Sequence, residues 1–167
     1  KPGAPATFDL SEPERARVVN LGAQAILRML YQYGFFHADL HAGNLLILPG
    51  RSVRIGFVDL GMVGRFTDET RRRLLYYYHA LVNGDVEKAA QHLGGIARVG
   101  PGGHPEEFQR AVAELSRRFL LRAQRGDFSI ARLILESMRL GGRYRMYFRV
   151  ELVLMVKALV TFEGVGR

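Results

Sequence analysis

Four side chains able to do chemistry crowd the stretch His37-Ala38-Asp39-Leu40-His41-Ala42-Gly43-Asn44, and a further carboxylate, Asp59, stands just before Leu60-Gly61. Asp39 and Asn44 lie five residues apart and offer a carboxylate and an amide oxygen from one loop. Hard oxygen donors of this kind suit Mg²⁺, which keeps part of its water shell and shares its remaining positions with substrate phosphates. A carboxylate beside such a site that is not itself a ligand can orient or deprotonate a nucleophile. These are the parts phosphoryl transfer needs, because positioning and charge neutralisation supply most of its catalysis. Taken singly, Asp39 and Asn44 also fit turn and cap chemistry, in which short polar side chains bond nearby backbone groups. That reading leaves the triple with Asp59 unaccounted for.

The elements around these residues must bring them together. Residues 1–10 carry Pro2 and Pro5 and read as a linker. Ser11 and Glu14 make a capping box, and Val18, Gly22, Ile26, Met29, Leu30 and Tyr33 recur at helical spacing until Gly34 can end the helix. Phe35 to Asn44 is too polar for a strand and too interrupted for a helix, so a loop is expected there. Leu45–Leu48, a Pro49-Gly50 turn and the run Val53, Ile55, Phe57, Val58 predict one small hairpin with Asp59 at its far end. Thr67 is an N-cap signal followed by Asp68 and Glu69, which favour the positive end of a helix dipole. Breaks at Asn83-Gly84, Gly94-Gly95, Gly100 to Pro105, Gly126 and Gly141-Gly142 divide the remainder into about five helices, with no fixed repeat. The expected class is mainly α (α+β), a helical bundle with a small β-hairpin.

Composition narrows the partners. At 167 residues the chain suits one domain with a real core, and its apolar fraction of 48% excludes a disordered or low-complexity protein. The formal net charge is +8, carried almost wholly by arginine because the only lysines are Lys1, Lys88 and Lys157. An anionic partner such as phosphate, lipid or nucleic acid fits that balance, as does a solvated basic face. Arg71-Arg72-Arg73 and the cluster Arg117, Arg118, Arg122 and Arg125 have the same two readings. Tyr76-Tyr77-Tyr78 point in different directions on a helix, so they read as core and rim rather than a base-stacking platform, and nucleic acid is an unfavoured partner. The absence of cysteine excludes disulfides and thiol catalysis. His79, His92 and His104 lack metal-ligand spacing. The most apolar stretch, Val150 to Phe162, is too short to span a bilayer. The beginning Lys1-Pro2-Gly3 and the end directly after an apolar helical run read as those of a fragment.

His37-Ala38-Asp39-Leu40-His41-Ala42-Gly43-Asn44 resembles the protein-kinase catalytic loop H-R-D-L-x-x-x-N, and Asp59-Leu60-Gly61 resembles D-F-G. More narrowly, Gly34 to Asp39, then Val58-Asp59-Leu60-Gly61-Met62-Val63-Gly64, then Lys157 to Gly164 resemble the UbiB/AarF family of atypical, protein-kinase-like proteins, from about Ser11 to Arg167. The resemblance implies that residues 11–167 are a kinase-like carboxy-terminal lobe. It implies Asp39 at the catalytic-loop aspartate, Asn44 and Asp59 as Mg²⁺ ligands, His37 as a loop brace, His41 as a phosphate contact and Gly61 against the nucleotide. ATP and Mg²⁺ are the implied cofactors. The implied role is phosphoryl transfer or ATP hydrolysis supporting isoprenoid-quinone (ubiquinone) biosynthesis. The implied setting is cytoplasmic, peripheral to or anchored at a membrane, with anionic lipid and quinone-biosynthesis proteins as partners.

The departures set the alternatives. Leu40 and Ala42 replace two prolines of the family loop, which removes backbone restraint and predicts a looser loop. Leu60 replaces the usual Phe, and Ala38 replaces the arginine that pairs with a phosphorylated activation loop, so that form of regulation is not expected. None of the three lysines precedes the loop on a strand, and no glycine-rich loop precedes Ser11, so the amino-terminal half of an ATP pocket is not expected within this chain. An aminoglycoside- or choline-type phosphotransferase and a non-catalytic docking lobe are the rival readings.

Overall fold

The computed structural model describes residues 11–48, 52–123 and 129–165. The expected linker over 1–10, the Pro49-Gly50 turn and the Gly126 break lie outside them. Ser11 opens α1 (Glu12–Leu27), where the Glu14 carboxylate accepts from the Ser11 amide at 2.9 Å and from its hydroxyl at 2.6 Å. These two bonds hold the Glu14 carboxyl below its ordinary range. The helix widens into a π-turn, Arg28–Gln32, that carries Leu30 into the core, and Gly34 (φ +68°) ends it.

The chain then forms β1 (Phe35–His37), β2 (Leu45–Leu48), β3 (Arg54–Phe57) and β4 (Val63–Arg65). β2 and β3 are the predicted hairpin, with Leu45 opposite Phe57. β1 corrects the sequence expectation of an unbroken loop from Phe35 to Asn44. It pairs antiparallel with β4 in the register Phe36↔Gly64. The cause is non-local, because the Phe36 ring stacks on Phe66 at 5.0 Å and lies across Gly64, where a β-carbon would fall 2.2 Å from Cζ of that ring.

Thr67 caps α2 (Asp68–Val82) as expected, its hydroxyl oxygen accepting from the Thr70 amide at 3.2 Å. α3 (Val86–Gly94), α4 (Pro105–Ala123), α5 (Ile130–Gly141) and α6 (Val150–Val165) follow, ending or starting at the predicted Asn83-Gly84, Gly94-Gly95, Gly100 to Pro105 and Gly141-Gly142 breaks. A third antiparallel pair, β5 (Arg98–Val99) with β6 (Met146–Tyr147), was not predicted, so three two-stranded ribbons replace the single expected hairpin. The core gathers Tyr77, Leu81, Leu93, Phe108, Val112, Leu133, Leu152 and Val156 from α2 through α6. Tyr77 is buried while Tyr76 and Tyr78 are exposed, as helical spacing requires.

The arginine run is not a uniform charged face. Arg71 donates to the Tyr31 carbonyl at 3.2 Å, pairs with Asp68 and packs over Gly34, tying the start of α2 to the end of the π-turn. Arg73 bonds Glu69 and lies against Gly95, which leaves Arg72 exposed. Among the described residues no helix is long and apolar enough to cross a membrane.

Gly64→Ala is expected to cost about 1–3 kcal/mol, because the Phe36 ring must leave its stack. Gly142→Ala, whose added methyl meets nothing within 4 Å, is expected to be neutral or slightly stabilising. Paired urea melts measure both.

Candidate functional site

The site is organised by a closed cycle of four hydrogen bonds. The His37 imidazole is buried; its Nε2 lies 3.0 Å from the Val58 carbonyl, and its Nδ1 accepts from the Asp39 amide at 3.2 Å. An acceptor Nδ1 leaves the proton on Nε2, which therefore donates to Val58. The Val58 amide donates to the Asn44 carbonyl at 3.0 Å. The Asn44 amide Nδ2 donates to the Asp39 carbonyl at 2.9 Å and closes the cycle. The catalytic-type loop and the end of β3 are thereby one unit. Asp59 follows directly on Val58.

Two further anchors hold this unit. The Ala38 amide donates to the Met62 carbonyl at 2.9 Å, which continues the β1–β4 ribbon. Leu40 is buried against Ile26 of α1 and Ala158 of α6, with Leu45 and Phe57 packed alongside. The leucine that removes a backbone restraint supplies a side-chain anchor in its place.

The candidate site residues lie on the two segments that this cycle joins, His37, Asp39, His41 and Asn44 on one and Asp59 and Gly61 on the other. Asn44 is buried, and with Nδ2 committed its Oδ1 is the oxygen left to accept or ligate. Asp39 turns its carboxylate outward beside His41, whose Nε2 is 3.9 Å from Oδ2, while Nδ1 of His41 accepts from the Gly43 amide at 3.1 Å. Both side chains are more than half exposed, so solvent screens that pair. Asp59 is exposed and takes a left-handed backbone, φ +56°, a region that Asp enters more readily than most residues. Such conformations cost about 1–3 kcal/mol and cluster where a side chain must be aimed. Gly61 gives it room, since a β-carbon there would lie 3.3 Å from Asp59 Oδ1.

Sequence reasoning missed the Val58 backbone, the Met62 carbonyl and the Leu40 anchor. Only Leu40 left a signal, as the one large apolar side chain in a polar loop. The remaining histidines lie elsewhere: His79 contacts Asn83, His92 the Tyr76 ring and His104 Glu107. Among the described residues no three His, Asp or Glu side chains form a metal cage. A groove of about 610 Å³ lies between α1 and α2 and is lined by Ile26, Tyr31, Leu75 and Tyr78 but by none of the candidate site residues. Burial, with Tyr78 nearby, pushes the Tyr31 hydroxyl up to about 12.

A mainly helical scaffold presents an H-x-D-x-x-x-x-N loop and a following D-x-G at the ends of short ribbons. Residues 6–93 match the ABC1 atypical kinase-like domain and residues 116–167 match the UbiB helical domain. The chain belongs to this UbiB/AarF family of atypical kinase-like proteins. No solved structure matches it.

His37→Phe keeps the bulk of the ring but leaves the Asp39 amide and the Val58 carbonyl without their partner. The expected loss is about 1–3 kcal/mol for each group left unpaired, with faster hydrogen exchange at the Asp39 amide. Chemical denaturation and amide exchange read the two effects separately.

Proposed function

We propose that this chain carries the metal-holding and acceptor-orienting half of an enzyme that uses Mg·ATP for phosphoryl transfer or ATP hydrolysis. The observation that supports this most is the hydrogen-bond cycle, which joins the loop bearing Asp39 and Asn44 to the residue preceding Asp59. A local turn of the 37–44 loop would not need to be bonded to the strand end that leads into Asp59.

In this reading Asn44 Oδ1 and the Asp59 carboxylate would hold Mg²⁺. The donor set fits, because both are hard oxygens and Mg²⁺ completes its shell with water and phosphate. Bound Mg²⁺ would neutralise phosphate charge. Asp39, outward and not engaged by its carboxylate in the cycle, orients the acceptor hydroxyl or water and accepts its proton. His41 Nε2 lies beside it to contact the transferred phosphate, and Gly61 leaves space for the nucleotide. Residues 11–167 act as a carboxy-terminal lobe, with the opposing nucleotide-binding lobe supplied by sequence outside them.

The family membership supports a role in isoprenoid-quinone (ubiquinone) biosynthesis at a membrane, with anionic lipid and quinone-biosynthesis proteins as partners. The UbiB helical match counts against an aminoglycoside- or choline-type phosphotransferase. The tightly braced loop counts against a docking lobe that has merely decayed.

Asp59→Asn tests the proposal in the full-length protein. Asparagine tolerates the same left-handed backbone, so the fold is kept while one metal-facing charge is removed. ATP turnover with Mg²⁺ is expected to fall by about 100-fold or more, given that metal charge stabilisation contributes several kcal/mol. Equal turnover in the two proteins would reject the assignment.

A further inference from the structure

A second concavity, about 370 Å³, opens between α4 and α5 and contains Arg118, Arg122 and Arg132, with Phe119, Ser129 and Glu136 beside them. Arg118 and Arg122 are one helical turn apart on α4, a spacing at which like charges repel. Arg132 approaches from α5. Its backbone is held by the helix cap, since its amide donates to the buried Ser129 hydroxyl oxygen at 3.1 Å. Among the described residues the concavity sets three arginines against one carboxylate, Glu136. The ion pair of Arg118 with Glu114 is long, 3.7 Å, and exposed. Among the described residues no carboxylate lies within ion-pair distance of Arg122 or Arg132. Arg117, the neighbour on α4, differs in this respect because it pairs with both Glu87 and Glu114. Among the described residues, Arg117 is thus paired twice, Arg118 once, and Arg122 and Arg132 with no carboxylate.

We propose that this concavity binds a phosphate group. Guanidinium forks match phosphate oxygens two at a time, and three arginines from two helices line this one concavity. The N-terminus of α5 adds a favourable dipole at the same place. The phosphate belongs either to a free phosphorylated small molecule or to a lipid headgroup. The site shares no residue with the Asp39, Asn44 and Asp59 cluster, so it stands or falls independently of the catalytic reading.

The test compares Arg118→Gln/Arg122→Gln/Arg132→Gln with a matched triple of exposed arginines outside the concavity, Arg72→Gln/Arg139→Gln/Arg143→Gln. Both remove the same charge. Pyrophosphate is titrated by calorimetry without Mg²⁺, and phosphatidylcholine vesicles with and without phosphatidylglycerol are assayed by sedimentation. The wild type and the matched triple are expected to bind in at least one arm, and the site triple to bind about tenfold or more weakly there. Loss in the pyrophosphate arm identifies a free phosphate ligand, and loss only in the phosphatidylglycerol arm identifies a headgroup. Equal weakening by both triples, or binding by the wild type in neither arm, overturns the proposal. Amide shifts induced by pyrophosphate in the wild type give a check without any variant: they should centre on Arg118 to Arg122 and Ser129 to Arg132, and shifts spread over all helices would contradict a built site.

Discussion

One buried imidazole sets the geometry on which the rest depends. His37 faces two backbone groups at once, and both of its bonds are satisfied only with the proton on Nε2. Through Val58 and Asn44 those two bonds become four, closed into a cycle. A closed cycle constrains more than an open chain of contacts, because each member is fixed from both sides. Asp39 and Asn44 cannot move relative to the segment bearing Asp59 unless a bond made by a buried group is broken, and such groups have no water to replace the lost partner.

The scaffold serves this cycle from three directions. Leu40 anchors the loop to α1 and α6. The β1–β4 ribbon, stacked through Phe36 and Phe66, fixes the strand from which His37 projects. Arg71 reaches back from α2 to the carbonyl of Tyr31 just before that strand. The helices from α2 onward hold most of the buried core, while Asp39, His41 and Asp59 lie in the connections between short ribbons and are open to solvent. Rigid backbone with exposed functional groups is the division of labour expected where ligands must enter and leave.

How much of this is legible in the sequence follows from the range of each interaction. The caps at Ser11 and Thr67, the Gly34 stop and the helix breaks at Asn83-Gly84 and Gly141-Gly142 are local, and the structure has them where spacing puts them. The residue types of the cluster are legible for the same reason, since Asp39 and Asn44 share one loop. The bonds that unite them are not. They run to backbone groups of Val58 and Met62, which carry no side-chain signature. Strands of two or three residues, as in β1, β4, β5 and β6, are too short to show a period, and only their distant partners make them strands. Leu40 shows how a local rule is incomplete: proline loss removes a backbone restraint, and the burial of Leu40 against α1 and α6 is a tertiary contact that the loop sequence does not reveal.

The central claim is that the Asp39–Asn44 loop and the Asp59 turn form one divalent-cation and phosphate-handling site. Paramagnetic broadening by Mn²⁺, titrated with ATP into the isotope-labelled protein, tests it most directly because the effect falls steeply with distance from the ion. Amide signals of residues 39–45 and 58–61 should fade together and before all others. If broadening instead begins along the acidic side chains Glu87, Glu106 and Glu114 and leaves those two segments sharp, the two segments do not make a common site.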